Sequence, residues 1–384
     1  MEETINSSNK IQNVFDINDF EELYSIACNA YGGDRYISYI PKEFLTIEKL
    51  KNFILSRMEE EDTKLYLKSM PYHFVIEPTN MCNLKCELCS TGLGNNSRRK
   101  GNIDKDKYFK LIDSIKNYAI EIYLQNWGEP TIYRSLPEIV EYSRKNGIWT
   151  NISTNFSFAV SDEYLKNLIL AQPSVLHIDL DGVTQEVYEK YRKRGNLEIV
   201  LENTRKVVKL KKDYNLKYPE IETTLLAMKH NEHQIEEFEL LSKELGVDKY
   251  NVGRIQVNPS STSSWDWLPE NEKYKYDMYK QGSQERKINA CHWPWSGLVV
   301  NWDGYVSACC IVDDAKADFG NIFDKSISEF WNNDYFISSR SEFAKDKDIK
   351  INTICNYCKN NTQSKELRRY KESFSIMLPL DHQL

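Results

Sequence analysis

The chain has 384 residues, 41% hydrophobic and 28% charged, with nine cysteines and a formal net charge of −7. This length and apolar content allow a large buried core with smaller domains beside it, while the acidic balance argues against a nucleic-acid partner, because phosphate binding needs a basic face. No apolar run approaches the roughly 18–20 residues of a membrane span, and the Met-Glu-Glu-Thr start does not read as a signal peptide, so the cysteines are expected to be reduced, metal-serving thiols in a cytoplasmic setting.

Residues 1–70 read as a helical extension without chemistry. Asp16–Tyr31 and Leu45–Met70 carry apolar residues at helical spacing among charges, and Cys28 reads as a small buried apolar residue. Over residues 71–258 strand and helix signals alternate. Strands are expected at His73–Glu77, Glu121–Leu124, Trp149–Thr154, Val175–Leu180, Ile221–Met228 and Tyr250–Val257. Helices are expected at Lys105–Tyr118, Leu136–Asn146, Asp162–Ala171, Val187–Tyr214 with a break near Gly195, and Gln234–Leu245. Repeated βα units imply a parallel sheet with right-handed crossovers. Six units suggest an α/β fold built on a partial (β/α)6 TIM-like barrel, with its chemistry at the C-terminal strand ends. Polar residues 259–290, with Trp265 and Trp267, read as a linker crossing the barrel mouth. Residues 291–362 read as a small α+β domain with a β-hairpin, Leu298–Asn301 and Tyr305–Ala308, around a turn ending in Asp303-Gly304. Residues 363–384 form a tail.

The loop after the first strand carries Cys82, Cys86 and Cys89. Three thiolates are one ligand short of a closed tetrahedral site. A structural zinc loop is one reading; a four-iron cube with one open iron is the other. The three-then-two spacing differs from that of bacterial ferredoxin loops. Further signals stand at the other strand ends. Gly128-Glu129-Pro130 follows the second strand, where a glycine lets backbone carbonyls approach an ammonium group. Ser153 and Asn155 end the third strand and Asp179 the fourth. Arg192 offers a planar fork suited to a carboxylate, or else belongs to a solvated run with Lys193 and Arg194. His230 and His233 read as a solvated helix cap, having no third ligand nearby. Arg254 points either at substrate or at solvent.

A second cysteine set lies further on. The hairpin places Cys291 before one strand and Cys309 after the other, and Cys355-x2-Cys358 closes on them. Four thiolates saturate one iron–sulfur cluster or one zinc ion, and spacing alone does not separate these. Cys310, next to Cys309, points to the opposite side of an extended chain.

The C-x3-C-x2-C spacing resembles the signature of the radical S-adenosylmethionine (radical SAM) enzymes, with Leu88 where many members have an aromatic residue. Leu124-Gln-Asn-Trp-Gly128-Glu129-Pro130 resembles their G-G-E-P segment, with Trp127 in place of the first glycine. The resemblance implies that Cys82, Cys86 and Cys89 hold a [4Fe–4S] cluster whose open iron chelates S-adenosylmethionine. The reduced cluster then splits this cofactor to a 5′-deoxyadenosyl radical. It implies further that Gly128 and Glu129 hold the methionine amino group, that Ser153, Asn155 and Asp179 face the cofactor, and that Arg192 pairs with its carboxylate.

Cys291 through Cys358 resembles the SPASM/twitch extension of that family. Full SPASM domains carry further cysteines after the C-x2-C pair, and none follows Cys358, so the likeness is to the one-cluster form of the 2-deoxy-scyllo-inosamine dehydrogenases. In the family the ligand is the fifth residue after the turn glycine, which selects Cys309. The resemblances imply two [4Fe–4S] clusters, S-adenosylmethionine and a flavodoxin- or ferredoxin-type electron donor. Exposed clusters would imply an oxygen-poor cytoplasm. The expected reaction is two-electron oxidation of a small polar sugar- or aminocyclitol-like molecule, with the auxiliary cluster as electron acceptor. Alternatives are a peptide or protein maturase, an epimerase using Cys310 as hydrogen donor, and a non-enzymatic electron carrier, which needs no cofactor pocket. Some peptide-modifying members begin with a strand-led leader-binding module, a pattern not seen in residues 1–70.

Overall fold

The computed structural model describes residues 14–29, 36–257, 262–276, 279–280 and 291–360. Parts of the N-terminal extension and linker, and the tail, therefore lie outside the described residues. Six parallel strands follow one another in space: β1 (His73–Ile76), β2 (Glu121–Tyr123), β3 (Trp149–Thr154), β4 (Val175–Asp179), β5 (Glu220–Ala227) and β6 (Lys249–Arg254). Helices cross back between them at Lys105–Ile115, Leu136–Lys145, Asp162–Leu170, Leu197–Asp213 and Ile235–Leu245. Local chemistry sets the helix starts: Asp104, Ser161 and Asn196 each accept the backbone N–H three residues on. The expected break near Gly195 is present, between helices Gln185–Tyr191 and Leu197–Asp213.

The hairpin is not detached from this sheet. Its first strand, β7 (Gly297–Val300), pairs parallel with β1, and β8 (Val306–Ser307) pairs antiparallel with β7. One eight-stranded sheet results, in the order β6-β5-β4-β3-β2-β1-β7-β8. A single apolar core runs from Phe74 and Ile122 through Leu298 and Val300 to Trp295 and Trp331.

Two expectations are corrected. The helix expected over Leu45–Met70 ends at Glu61. Thr63 then adopts φ 53, and the Glu59 carboxylate accepts the N–H groups of Lys68 and Ser69, folding the chain back. The last strand stops at Arg254, because Ile255 and Val257 turn into the apolar cluster around the cysteine loop. The N-terminal helices, Phe20–Asn29 and Ile47–Glu61, pack a second core with Tyr72, Trp149, Val175 and Tyr218 at the N-terminal strand ends. They close the end of the sheet opposite the loops that carry chemistry. Among the described residues no helix is long and apolar enough to cross a membrane.

Candidate active site and cluster-binding cysteines

The cysteine loop is stapled on both sides. Thr79 Oγ1 donates to Gly101 O at 2.9 Å, and Asn80 bonds Arg99 O and Gly101 N at 2.8 and 2.9 Å. On the other side Glu129 N donates to Met81 O at 2.8 Å. Gly128 lies so close that a Cβ there would sit 2.0 Å from Thr79 O; at Gly92, in the short helix Ser90–Leu93, it would sit 2.2 Å from Cys86 O. Both glycines are required by close backbone approach. Cys86 is buried with Leu84, Tyr191, Met228, Ile255 and Leu268, and Cys82, Leu88, Cys89 and Trp267 pack against them. Burial pushes the Cys82 thiol up to about 12 and Cys86 to about 11, with repulsion among the three sulfurs adding to it. Cys82 and Cys86 thus ionise readily only against a cation, and with Cys89 they put three thiols, unpaired as disulfides, on one short loop, which fits a cluster-binding role.

The residues expected to face the cofactor gather here, but several hold one another. Glu129 is buried, and its carboxylate accepts Thr131 Oγ1 at 2.5 Å, Thr154 Oγ1 at 2.7 Å and Asn155 N at 2.7 Å. Burial raises its pKa despite these donors. Its side chain therefore ties strand ends together. Asn155 Nδ2 donates to Asn83 Oδ1 at 3.2 Å and to Cys82 Sγ at 3.8 Å, so this amide faces the thiols. Ser153 Oγ donates to Asp179 Oδ1 at 3.2 Å. Arg192 is neither a free fork nor a solvated run: Nη2 lies 3.2 Å from Asp179 Oδ2 and Nε 2.5 Å from Asp181 Oδ2. Its charge opposes the burial effect on Cys86. Ser153, Asp179 and Arg192 thus form one linked group beside the cysteine loop, anchored by Asp181, which also accepts Leu226 N at 2.7 Å.

Over the mouth, the Trp267 ring meets Tyr191 at 5.7 Å and His230 at 5.2 Å, both edge-on. His230 is therefore not a solvated cap: its ring nitrogens are buried, and burial lowers its pKa to about 4. His233 is exposed, as is Arg254, which stands over the Tyr276 ring at 5.8 Å.

The second cysteine set surrounds one cavity. Cys291, Cys309, Cys355 and Cys358 line it, with Trp293, Pro294, Val312, Phe343 and Ile354 as apolar walls; Cys310 is exposed and does not line it. Antiparallel β7 and β8 bring Cys291 and Cys309 to the N-terminal end of the barrel strands. Burial pushes Cys291 up to about 11 and Cys355 to about 12. Four thiolates around one cavity are the number that saturates one metal centre.

The two cysteine regions are tied together. Arg98, nine residues after Cys89, pairs with Asp303 at 2.7 Å and Asp318 at 2.5 Å. Ser90 Oγ donates to Asp313 at 2.5 Å, and Trp127 Nε1 donates to Val312 O at 3.0 Å. Sequence reading missed Glu77, Gly92 and Asp181 as parts of the site. Only Asp181 carried a local signal, two residues past Asp179 at a strand end.

Residues 76–270 match the Radical SAM superfamily, and residues 291–359 match SPASM, an iron–sulfur cluster-binding domain. The chain is 26% identical over 329 residues, covering 75% of itself and 89% of the relative, to the tungsten-containing aldehyde ferredoxin oxidoreductase cofactor-modifying protein of Pyrococcus furiosus. It is 24% identical to the antilisterial bacteriocin subtilosin biosynthesis protein AlbA of Bacillus subtilis, over 68% of this chain and 60% of that one. Against Streptococcus suis SuiB bound to S-adenosylmethionine it superposes with a TM-score of 0.56 at 15% identity, covering 83% of this chain and 82% of that one. A radical SAM domain implies a [4Fe–4S] cluster and S-adenosylmethionine, and a SPASM domain implies auxiliary iron–sulfur clusters. The three-cysteine loop at the strand ends and the family match over more than half of the sequence agree: this chain belongs to the radical SAM superfamily and carries a C-terminal SPASM domain.

Proposed function

We propose that this enzyme removes two electrons from an unactivated carbon, and that its SPASM domain holds one fully ligated auxiliary cluster. One observation carries the reading: Cys309, not Cys310, lines the cavity with Cys291, Cys355 and Cys358, giving four protein ligands and leaving no open iron for substrate. When bound, the clusters and S-adenosylmethionine supply a 5′-deoxyadenosyl radical for hydrogen abstraction and an acceptor for the second electron. The residues of the chain position and shield. Cys82, Cys86 and Cys89 present three ligands, and the Gly128 backbone lies against their loop. Asn155 directs an N–H at Cys82, and Arg192 offsets the negative charge near Cys86. Trp267, Tyr191 and Leu268 pack over the loop and exclude water.

A small polar sugar- or aminocyclitol-like substrate is the first reading. The described residues ahead of β1 form helices that close the far end of the sheet, rather than a strand-led peptide-binding module. Peptide maturation is the second reading, favoured by relatives whose names carry it: AlbA, the mycofactocin maturase MftC, and SuiB bound to precursor peptide SuiA. The test runs the parent, Cys309→Ala and Cys310→Ala with an aminocyclitol panel in ordinary and deuterated water. The reading expects a product lighter by two hydrogens, retained in Cys310→Ala. It expects Cys309→Ala to lose about four irons and to stall after hydrogen abstraction. A product of unchanged mass that gains one deuterium in heavy water and disappears in Cys310→Ala establishes epimerisation instead.

A further inference from the structure

Glu77 stands where three loops meet. β1 lies between β2 and β7, so the residue after β1 neighbours the loops leaving both. The loop after β2 carries Trp127-Gly128, and the loop after β7 is the turn of the auxiliary hairpin. Glu77 is fully buried. Its Oε1 accepts the backbone N–H of Trp127 at 3.0 Å, and its Oε2 accepts that of Trp302 at 3.4 Å. Its own N–H donates to Val300 O at 2.9 Å. A buried carboxylate is costly unless its oxygens are bonded, and the bonds it makes here are one to each loop. A residue needed only to pack this position would be apolar.

Resting on the reading that the Trp127–Glu129 segment meets S-adenosylmethionine, we infer that Glu77 is a positioning residue coupling the cofactor segment to the auxiliary-cluster hairpin. Order imposed on Trp127 by the cofactor holds Oε1, and through the rigid carboxylate plane holds Trp302. Trp302 in turn packs on Gly101 and donates its Nε1–H to Arg99 O at 3.0 Å. Arg98 and Asp303 face the same carboxylate, and Arg98 is shared with Asp318. Burial pushes Glu77 up to about 7, so both protonation states are reachable near neutral pH, and the charged acceptor makes the stronger bonds.

The test is hydrogen exchange at the Trp127 and Trp302 amides in cluster-loaded protein, with and without S-adenosylmethionine. Glu77→Gln keeps the volume and one acceptor but turns an N–H donor toward the other amide, so with the loops coupled through this side chain exchange at both amides, not at one alone, should speed up about tenfold. The cofactor should slow exchange at Trp302 in the parent and not in the variant. A Trp302 rate indifferent to the cofactor in the parent, or a variant in which only one amide responds, overturns the inference. A variant that does not fold leaves the parent as the probe. Lowering its pH from 8 to 6 slows intrinsic exchange, and against that baseline the protection of both amides should fall together; unchanged protection overturns the coupling. Asp318, pushed up to about 6 by burial, titrates in the same window, so Asp318→Asn is run beside the parent and should keep the effect. A parent that binds no cofactor defeats the functional reading instead, and there the two-amide response to Glu77→Gln still decides whether the loops are coupled.

Discussion

Gly128 shows how little room the site leaves at the scale of one residue. A methyl group placed there meets Thr79 O at 2.0 Å, and the obstacle is backbone that cannot swing away. Gly128→Ala should cost about 1–3 kcal/mol of overpacking, displace the segment from the cysteine loop, and weaken S-adenosylmethionine binding about tenfold or more. Titration of the reduced cluster's EPR signal with cofactor measures this, and parent affinity in the variant would remove Gly128 from the site. The nearness of Cys82, Cys86 and Cys89 was legible in the sequence because residues on one short loop lie close together in any fold. The pairing of Arg192 with Asp179 and Asp181 was not, because nothing local distinguishes a fork awaiting a ligand from one already held. Glu77 was missed for a related reason: its partners lie 50 and 225 residues away.

At the scale of elements, the pairing of β7 with β1 makes the auxiliary hairpin part of the barrel sheet. The two regions should therefore unfold together. Leu298 is fully buried on β7, and Leu298→Ala should cost about 2–5 kcal/mol while lowering one shared melting transition rather than uncovering a second. Two separated transitions, with the barrel amides still protected after the hairpin opens, would contradict the shared core. Arg98→Met tests the ties outside the sheet. It leaves Asp303 and Asp318 facing each other without their cation, so a loss of about 3–5 kcal/mol is expected, measured by denaturant unfolding. Element types were readable because β-branched runs and helical periodicity are local signals, and the strands appear within a few residues of where pattern places them. The β1–β7 ladder was not readable, since parallel pairing across more than two hundred residues leaves no mark in either segment.

For the whole molecule, the sheet separates two cysteine regions. The three-cysteine loop lies at the C-terminal strand ends, and the hairpin carries Cys291 and Cys309 to the other end of β7 and β8. Between them run the Arg98, Ser90, Trp127 and Glu77 contacts, which join the two cysteine regions into one packed unit. The most direct test of this account compares the parent with a Cys82→Ala, Cys86→Ala, Cys89→Ala triple variant, both reconstituted anaerobically and given reductant and S-adenosylmethionine. The parent should hold about eight irons and form 5′-deoxyadenosine, and the triple variant should keep about four irons in the auxiliary set and form none. A triple variant that cleaves the cofactor as fast as the parent, or a parent carrying stoichiometric zinc at Cys291, Cys309, Cys355 and Cys358, would contradict it.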